Sequence, residues 1–143
     1  MDNDISMLNS IRQTTQMGCH GIRSVMDETL NKDLRSDLES QMQEYESIYA
    51  EASRMLRQRD EKAKDINPLA KYSSGMSAML QVRASQDPSS KIAALMLQGN
   101  TRGMIKSIHN LRTMGTLDPK VASLSKRLLQ TEQANIDQMK QYL

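Results

Sequence analysis

Two histidines, one cysteine, one carboxylate on an otherwise apolar helix face and twelve methionines are the residues with which this chain could do chemistry. Cys19 adjoins His20, but neighbours on a helix point about 100° apart and cannot form a thiolate–imidazole pair. A lone cysteine also excludes an intrachain disulfide and a Cys-rich zinc site. Di-metal sites in four-helix bundles use inward carboxylates and Glu-x-x-His pairs. Here Met17 stands three residues before His20, and Lys106 three before His109. On a helical wheel His20 falls opposite Leu8, Ile11 and Ile22, and His109 shares a face with Lys91, Gln98 and Arg102. Both histidines therefore read as solvated side chains, and the di-iron pattern is missing.

One carboxylate points inward. The last helical stripe runs Val121, Leu124, Leu128, Met139 and Tyr142, with Glu132 near its middle and Asn135 one turn on. Glu132-Gln133-Ala134-Asn135 stands where Glu-x-x-His would stand, with Asn for His. Gln41 lies on another apolar line beside Tyr45. The shift that carries Gln41 onto Glu132 also superposes Leu38 on Leu129 and Ile48 on Met139, a faint sign of two equivalent halves. Two readings follow. Gln41, Tyr45, Glu132 and Asn135, with Thr15 as a further member, form a buried polar network that fixes helix register. Alternatively, an atypical metal site surrounds Glu132. The network is preferred, because one carboxylate without imidazole is too small a ligand set for a redox metal pair. No cofactor is expected.

Methionine and glycine pose the same kind of choice. Met76 and Met79 are spaced for a thioether site that would suit Cu(I). The chain has no Phe or Trp, however, and methionine is the flexible filler that replaces them in a core. Met17, on a polar face, stays outside that explanation. Gly99 and Gly103 form a small-xxx-small pair, and Gly18 lies on the first helix. Glycine within a helix costs about 1 kcal/mol against alanine, so a close helix approach or an oligomer contact is expected there. A phosphate loop is excluded because no strand precedes them. Asn100, Thr101 and Ser107 share that broad surface.

The elements that must position these residues are helical. Only three prolines and six glycines punctuate the 143 residues, and no stretch alternates with period two. Leu8, Ile11, Thr15, Gly18, Ile22, Val25 and Thr29 predict a first helix over about 4–30. Leu34, Leu38, Gln41, Tyr45, Ile48, Ala52 and Leu56 predict a second over 33–59, with Asp33 able to cap it. Asp87-Pro88 and Asp118-Pro119 each place a capping acceptor before proline, and so start helices over 88–114 and 118–143. Short links make each pair an antiparallel hairpin. The long link contains an amphipathic piece, about 69–83, with Leu69, Tyr72, Met76, Met79 and Leu80 on one side. A helix of this length spans ~37 Å, which the link can retrace. The expected fold is a single all-α domain over 1–143, a ferritin-like four-helix bundle of two antiparallel hairpins joined by a long crossover with its own short helix. One helix kinked at Pro88 is the alternative.

Composition narrows the function. Net charge is +2. The basic run Arg54, Arg57, Arg59, Lys62, Lys64 is broken by acids and has no interleaved aromatics, so it reads as a solvated helix end, and no nucleic-acid partner is expected. No apolar run nears the ~18 residues of a membrane span, and residues 1–6 lack a basic leader, so no membrane partner and a cytoplasmic location are expected.

Gln43-Glu44-Tyr45-Glu46, Ile92–Gly99 (IAALMLQG) and Leu128–Leu143 (LLQTEQANIDQMKQYL) resemble a group of small bacterial four-helix proteins of the Firmicutes type. That group lies within the ferritin-like superfamily, with the spore-coat protein F family a more distant likeness. The resemblance covers most of the chain from about Leu8 and rests on helix pattern and short phrases. It implies a ferritin-like bundle of unassigned activity. Metal-binding members use the Glu-x-x-His that this chain lacks, so no ferroxidase or oxygenase activity is carried over. The expectation is a non-catalytic structural or protein-interaction module, a homo-oligomer or the partner of another protein. A metal-binding or ferroxidase-like protein with an atypical site at Glu132 is the alternative, and a small-molecule pocket between methionine-rich faces is a third reading.

Overall fold

The computed structural model describes residues 2–62 and 68–143, apart from the side chains of 68–74. Five helices follow one another: α1 (Asn3–Met26), α2 (Lys32–Gln58), α3 (Pro68–Arg83), α4 (Pro88–Thr113) and α5 (Pro119–Lys140). Their starts follow local chemistry. Asp87 accepts from the Ser90 amide at 3.1 Å and Asp118 from the Lys120 amide at 2.8 Å, each before a helix-opening proline. At the α2 start the cap is Asn31, which accepts from the Leu34 amide at 2.9 Å. Asp33, the expected cap, lies in the first turn. α1 stops short of the expected Leu30. The amides of Glu28 and Thr29 turn back to the carbonyls of Val25 and Met26, tightening the helix end and leaving Leu30 86% exposed.

The four long helices form the bundle. All seven stripe residues of α2 are buried, as are Leu8, Ile11, Thr15, Ile22 and Val25 of α1 and Val121, Leu124, Leu128 and Met139 of α5. Side-chain pairings fix the directions. Gln41 meets Gln138 and Glu44 meets Arg127, so α2 and α5 are antiparallel. Ser10 meets Asn110 while Gly21 faces Met96, so α1 and α4 are antiparallel as well. α2 and α4 consequently run the same way, and the chain must travel back along the bundle between them.

α3 makes that return. It packs against α1 and α4, parallel to α1, with Gly75 beside His20 and Ser24 and with Arg83 on Glu28 at 2.8 Å. Residues 84–87 and the Asp87 cap separate α3 from α4, so the two are not one helix kinked at Pro88. The inward side of α3 differs from the expected one. Gly75 and Val82 are buried and Ala78 packs on the core, whereas Met76 (41% exposed) and Leu80 (56%) face outward. The side chains of Leu69 and Tyr72 lie outside the described residues. A narrow, small-residue face is what lets α3 lie close along α1.

Two clusters tie the ends. Arg59 stands 3.6 Å from both Asp4 and Asp118, and the Asp118 amide donates to Asp4 at 2.8 Å. Arg59 is therefore a clamp on the starts of α1 and α5 and not part of a freely solvated run. At the other end the Tyr142 hydroxyl donates to Asp37.

Candidate functional site

α3 changes the character of the α1 face that the sequence marks as polar. It lies over that face, and with α1 and α4 it encloses a cleft of about 570 Å³ that reaches down to Tyr45 and Glu132. His20, expected at the surface, is a partly buried wall of this cleft, because the crossover helix covers its face. Met17, the methionine left without a core role, is half-exposed along the same wall.

Five of the six glycines line the cleft: Gly18, Gly21, Gly75, Gly99 and Gly103. Three of them stand against side chains that a methyl group would strike. A Cβ at Gly18 would lie 2.6 Å from the Tyr45 ring, one at Gly75 2.7 Å from His20 Nε2, and one at Gly103 1.8 Å from Glu132 Oε2. Gly103 thus admits a carboxylate, where the sequence suggested the backbone of a neighbouring helix. A Cβ at Gly99 would meet nothing within 4 Å, so the close helix approach expected there is not found among the described residues.

Two polar groups occupy the interior. In the first, Tyr45 donates to Asn100 Oδ1 at 2.5 Å, and the Asn135 amide donates to Asn100 Oδ1 at 3.2 Å and to the Tyr45 hydroxyl at 3.3 Å. Asn100 in turn donates to the Met96 carbonyl at 2.8 Å. The ring closes on itself. Burial pushes the Tyr45 phenol above its usual range, and the nearby Glu132 charge adds to this against the Asn135 hydrogen bond.

In the second, Glu132 is 1% exposed and its Oε1 accepts from Ser107 at 2.8 Å. Oε2 sits in the cradle left by Gly103 and receives no hydrogen bond among the described residues. Burial pushes the carboxyl up to about 7, against smaller opposing effects of the Ser107 hydrogen bond and the Lys106 charge. The group is poised to hold or release a proton near neutrality.

The four residues singled out in the sequence are thus divided. Tyr45 and Asn135 meet. Glu132 lies one turn from Asn135 and bonds to Ser107, while Gln41 donates to Gln138 at 2.7 Å and leaves its own Oε1 without a partner. Thr15 bonds to the carbonyls of Ile11 and Arg12 on its own helix and does not join the network. Asn100 and Ser107 complete the two groups. Their signal was their position on the Ile92–Met96 line of α4, which continues through Asn100 and Ser107. Gly18 was read as a close helix approach, and what meets it is the Tyr45 ring; Gly75 carried no signal, because the partner that needs its gap comes from another helix.

Among the described residues no three His, Cys, Asp or Glu side chains converge on a common point. Cys19 is buried, and burial raises its thiol, which disfavours the thiolate form that nucleophilic attack or metal ligation needs.

No family model matches the sequence, and no curated protein does. The likeness to Firmicutes four-helix proteins and to spore-coat protein F gains no support from those comparisons. Solved structures do match. A DUF305 fragment from Deinococcus radiodurans superposes with a TM-score of 0.75 over 99% of this chain and 95% of its own, at 11% identity. The E. coli stress protein YciF superposes with a TM-score of 0.67 over 96% of this chain and 90% of its own, at 17% identity. The fold is ferritin-like. No described helix is long and apolar enough to cross a membrane.

Proposed function

We propose that this chain is a non-catalytic structural and protein-interaction module, a ferritin-like bundle in which hydrogen bonds between helices stand where a metal centre would otherwise stand. The observation that carries this reading is the closed Tyr45–Asn100–Asn135 ring, which joins α2, α4 and α5. Asn135 occupies the position one turn after Glu132 that imidazole would need, and its amide is committed to two acceptors. Such a ring specifies register and adds no reactive group. Met76 and Leu80, one turn apart on the outer face of α3, offer apolar surface for a second copy or another protein. The cytoplasm is the proposed location.

The test is elemental analysis of tag-free protein after exposure to Fe(II), Mn(II), Zn(II) and Cu(I) and desalting, alongside Glu132→Gln. Retention of no metal by either protein, with both folded, agrees with the proposal. Near-stoichiometric retention of one metal that disappears in Glu132→Gln overturns it in favour of an atypical metal site.

A further inference from the structure

The cleft between α1, α3 and α4 has three features that the structural reading leaves unused. Its floor is a buried carboxylate with one oxygen turned into the space and no donor on it among the described residues. Its walls set an apolar patch of Met17, Ile22, Ala78, Leu95 and Met96 among polar groups such as His20, Gln81 and Gln98. Its rim carries Arg102 and Lys106, exposed, one turn apart on α4 and on either side of Gly103. Neither has an ion-pair partner among the described residues. The space exists because glycine replaces side chains along it, and its volume falls within the range of small-molecule sites.

A buried carboxylate oxygen without a donor is costly, and the missing group is a hydrogen-bond donor, best a charged one. A metal ion would need further ligands, and none converge there among the described residues. A simple organic cation would satisfy Oε2 but would pass the two cations at the rim. A molecule with an ammonium group at one end and an acidic group at the other meets both requirements. We propose that the cleft binds a small amino-acid-like zwitterion, its ammonium on Glu132 Oε2, its apolar part against Met17 and Met96, and its acidic group toward Arg102 and Lys106. This rests on the reading that Glu132 holds no metal, and the metal-retention experiment tests that reading separately.

The methionines supply a local readout. With methyl-¹³C methionine in metal-stripped protein, 6-aminohexanoate or 5-aminopentanoate shifts the Met17 and Met96 methyl signals saturably and leaves those of the distant Met7 and Met139 in place. Hexanoate and hexylammonium, each lacking one charge, bind more weakly than the zwitterions. Glu132→Gln weakens binding by about tenfold or more, the loss expected for one charge-assisted hydrogen bond. Gly99→Leu abolishes binding while the other methionine signals stay native, since its Cβ meets nothing within 4 Å and the side chain continues into the cleft that Gly99 lines. Absence of saturable shifts with both zwitterions in the wild type overturns the proposal. So do equal affinity in Glu132→Gln, and hexylammonium binding as tightly as 6-aminohexanoate.

Discussion

One helical turn of α5 separates two polar groups with opposite properties. At Asn135 the bundle interior closes on itself: Tyr45, Asn100 and Asn135 satisfy one another, and Gly18 lets the tyrosine ring in. At Glu132 the interior stays open: one oxygen is bonded to Ser107, and the other faces a cleft that Gly103 widens. Both groups are equally buried, so burial alone does not distinguish architecture from a site. What distinguishes them is whether each polar atom already has its partner inside the protein.

The largest expected effect tests the closed group. Tyr45→Ala removes a buried aromatic ring and leaves Asn100 and Asn135 short of a partner, so urea unfolding should show a loss of about 4 kcal/mol. Loss of less than about 1 kcal/mol would mean that the ring is not structural.

The open group should appear as a pH effect. An ordinary glutamate titrates near 4.5, and Glu132 is pushed up to about 7. The folded chain therefore binds the extra proton between those values. Stability is fully present below 4.5 and declines as the pH climbs through 7, by roughly 3 kcal/mol. Glu132→Gln should abolish that slope, and an unchanged pH profile in the variant would assign the titration elsewhere.

The glycines sharpen the contrast. Gly18→Ala drives a methyl into a ring held by hydrogen bonds, and thermal unfolding should register a loss of about 2 kcal/mol. Gly103→Ala approaches its carboxylate still more closely. There the obstacle is the free end of a flexible side chain with open space beside it, so the net change should stay within about 1 kcal/mol as helix propensity offsets the displacement. Equal losses at the two positions would erase the distinction between closed and open groups. Smallest of all, Gly99→Ala meets nothing and should stabilise the chain by up to about 1 kcal/mol, measured as a raised Tm.

Much of this was legible without coordinates. The inward placement of Gln41, Tyr45, Glu132 and Asn135 followed from helical spacing, since every one is buried on the stripe that contains it. Their grouping was not legible. Glu132 and Asn135 lie one turn apart on one helix, yet Glu132 takes Ser107 of α4 while Asn135 takes Asn100 of α4 and Tyr45 of α2, and those choices depend on how far each helix slides against the next. His20 shows the other failure. Its face is polar, which ordinarily means water, but the α3 backbone can cover it because Gly75 brings no side chain.

The sequence by itself determined the helices, most of their caps, the buried stripe of each long helix and the hairpin pairing. These follow from residue periodicity and link length, which are properties of short stretches of chain. The tertiary structure alone decided which polar atoms are satisfied, where the cleft opens and why the glycines stand where they do. A hydrogen bond or a gap between helices is set by the relative position of backbones distant in sequence, and no local pattern encodes that distance.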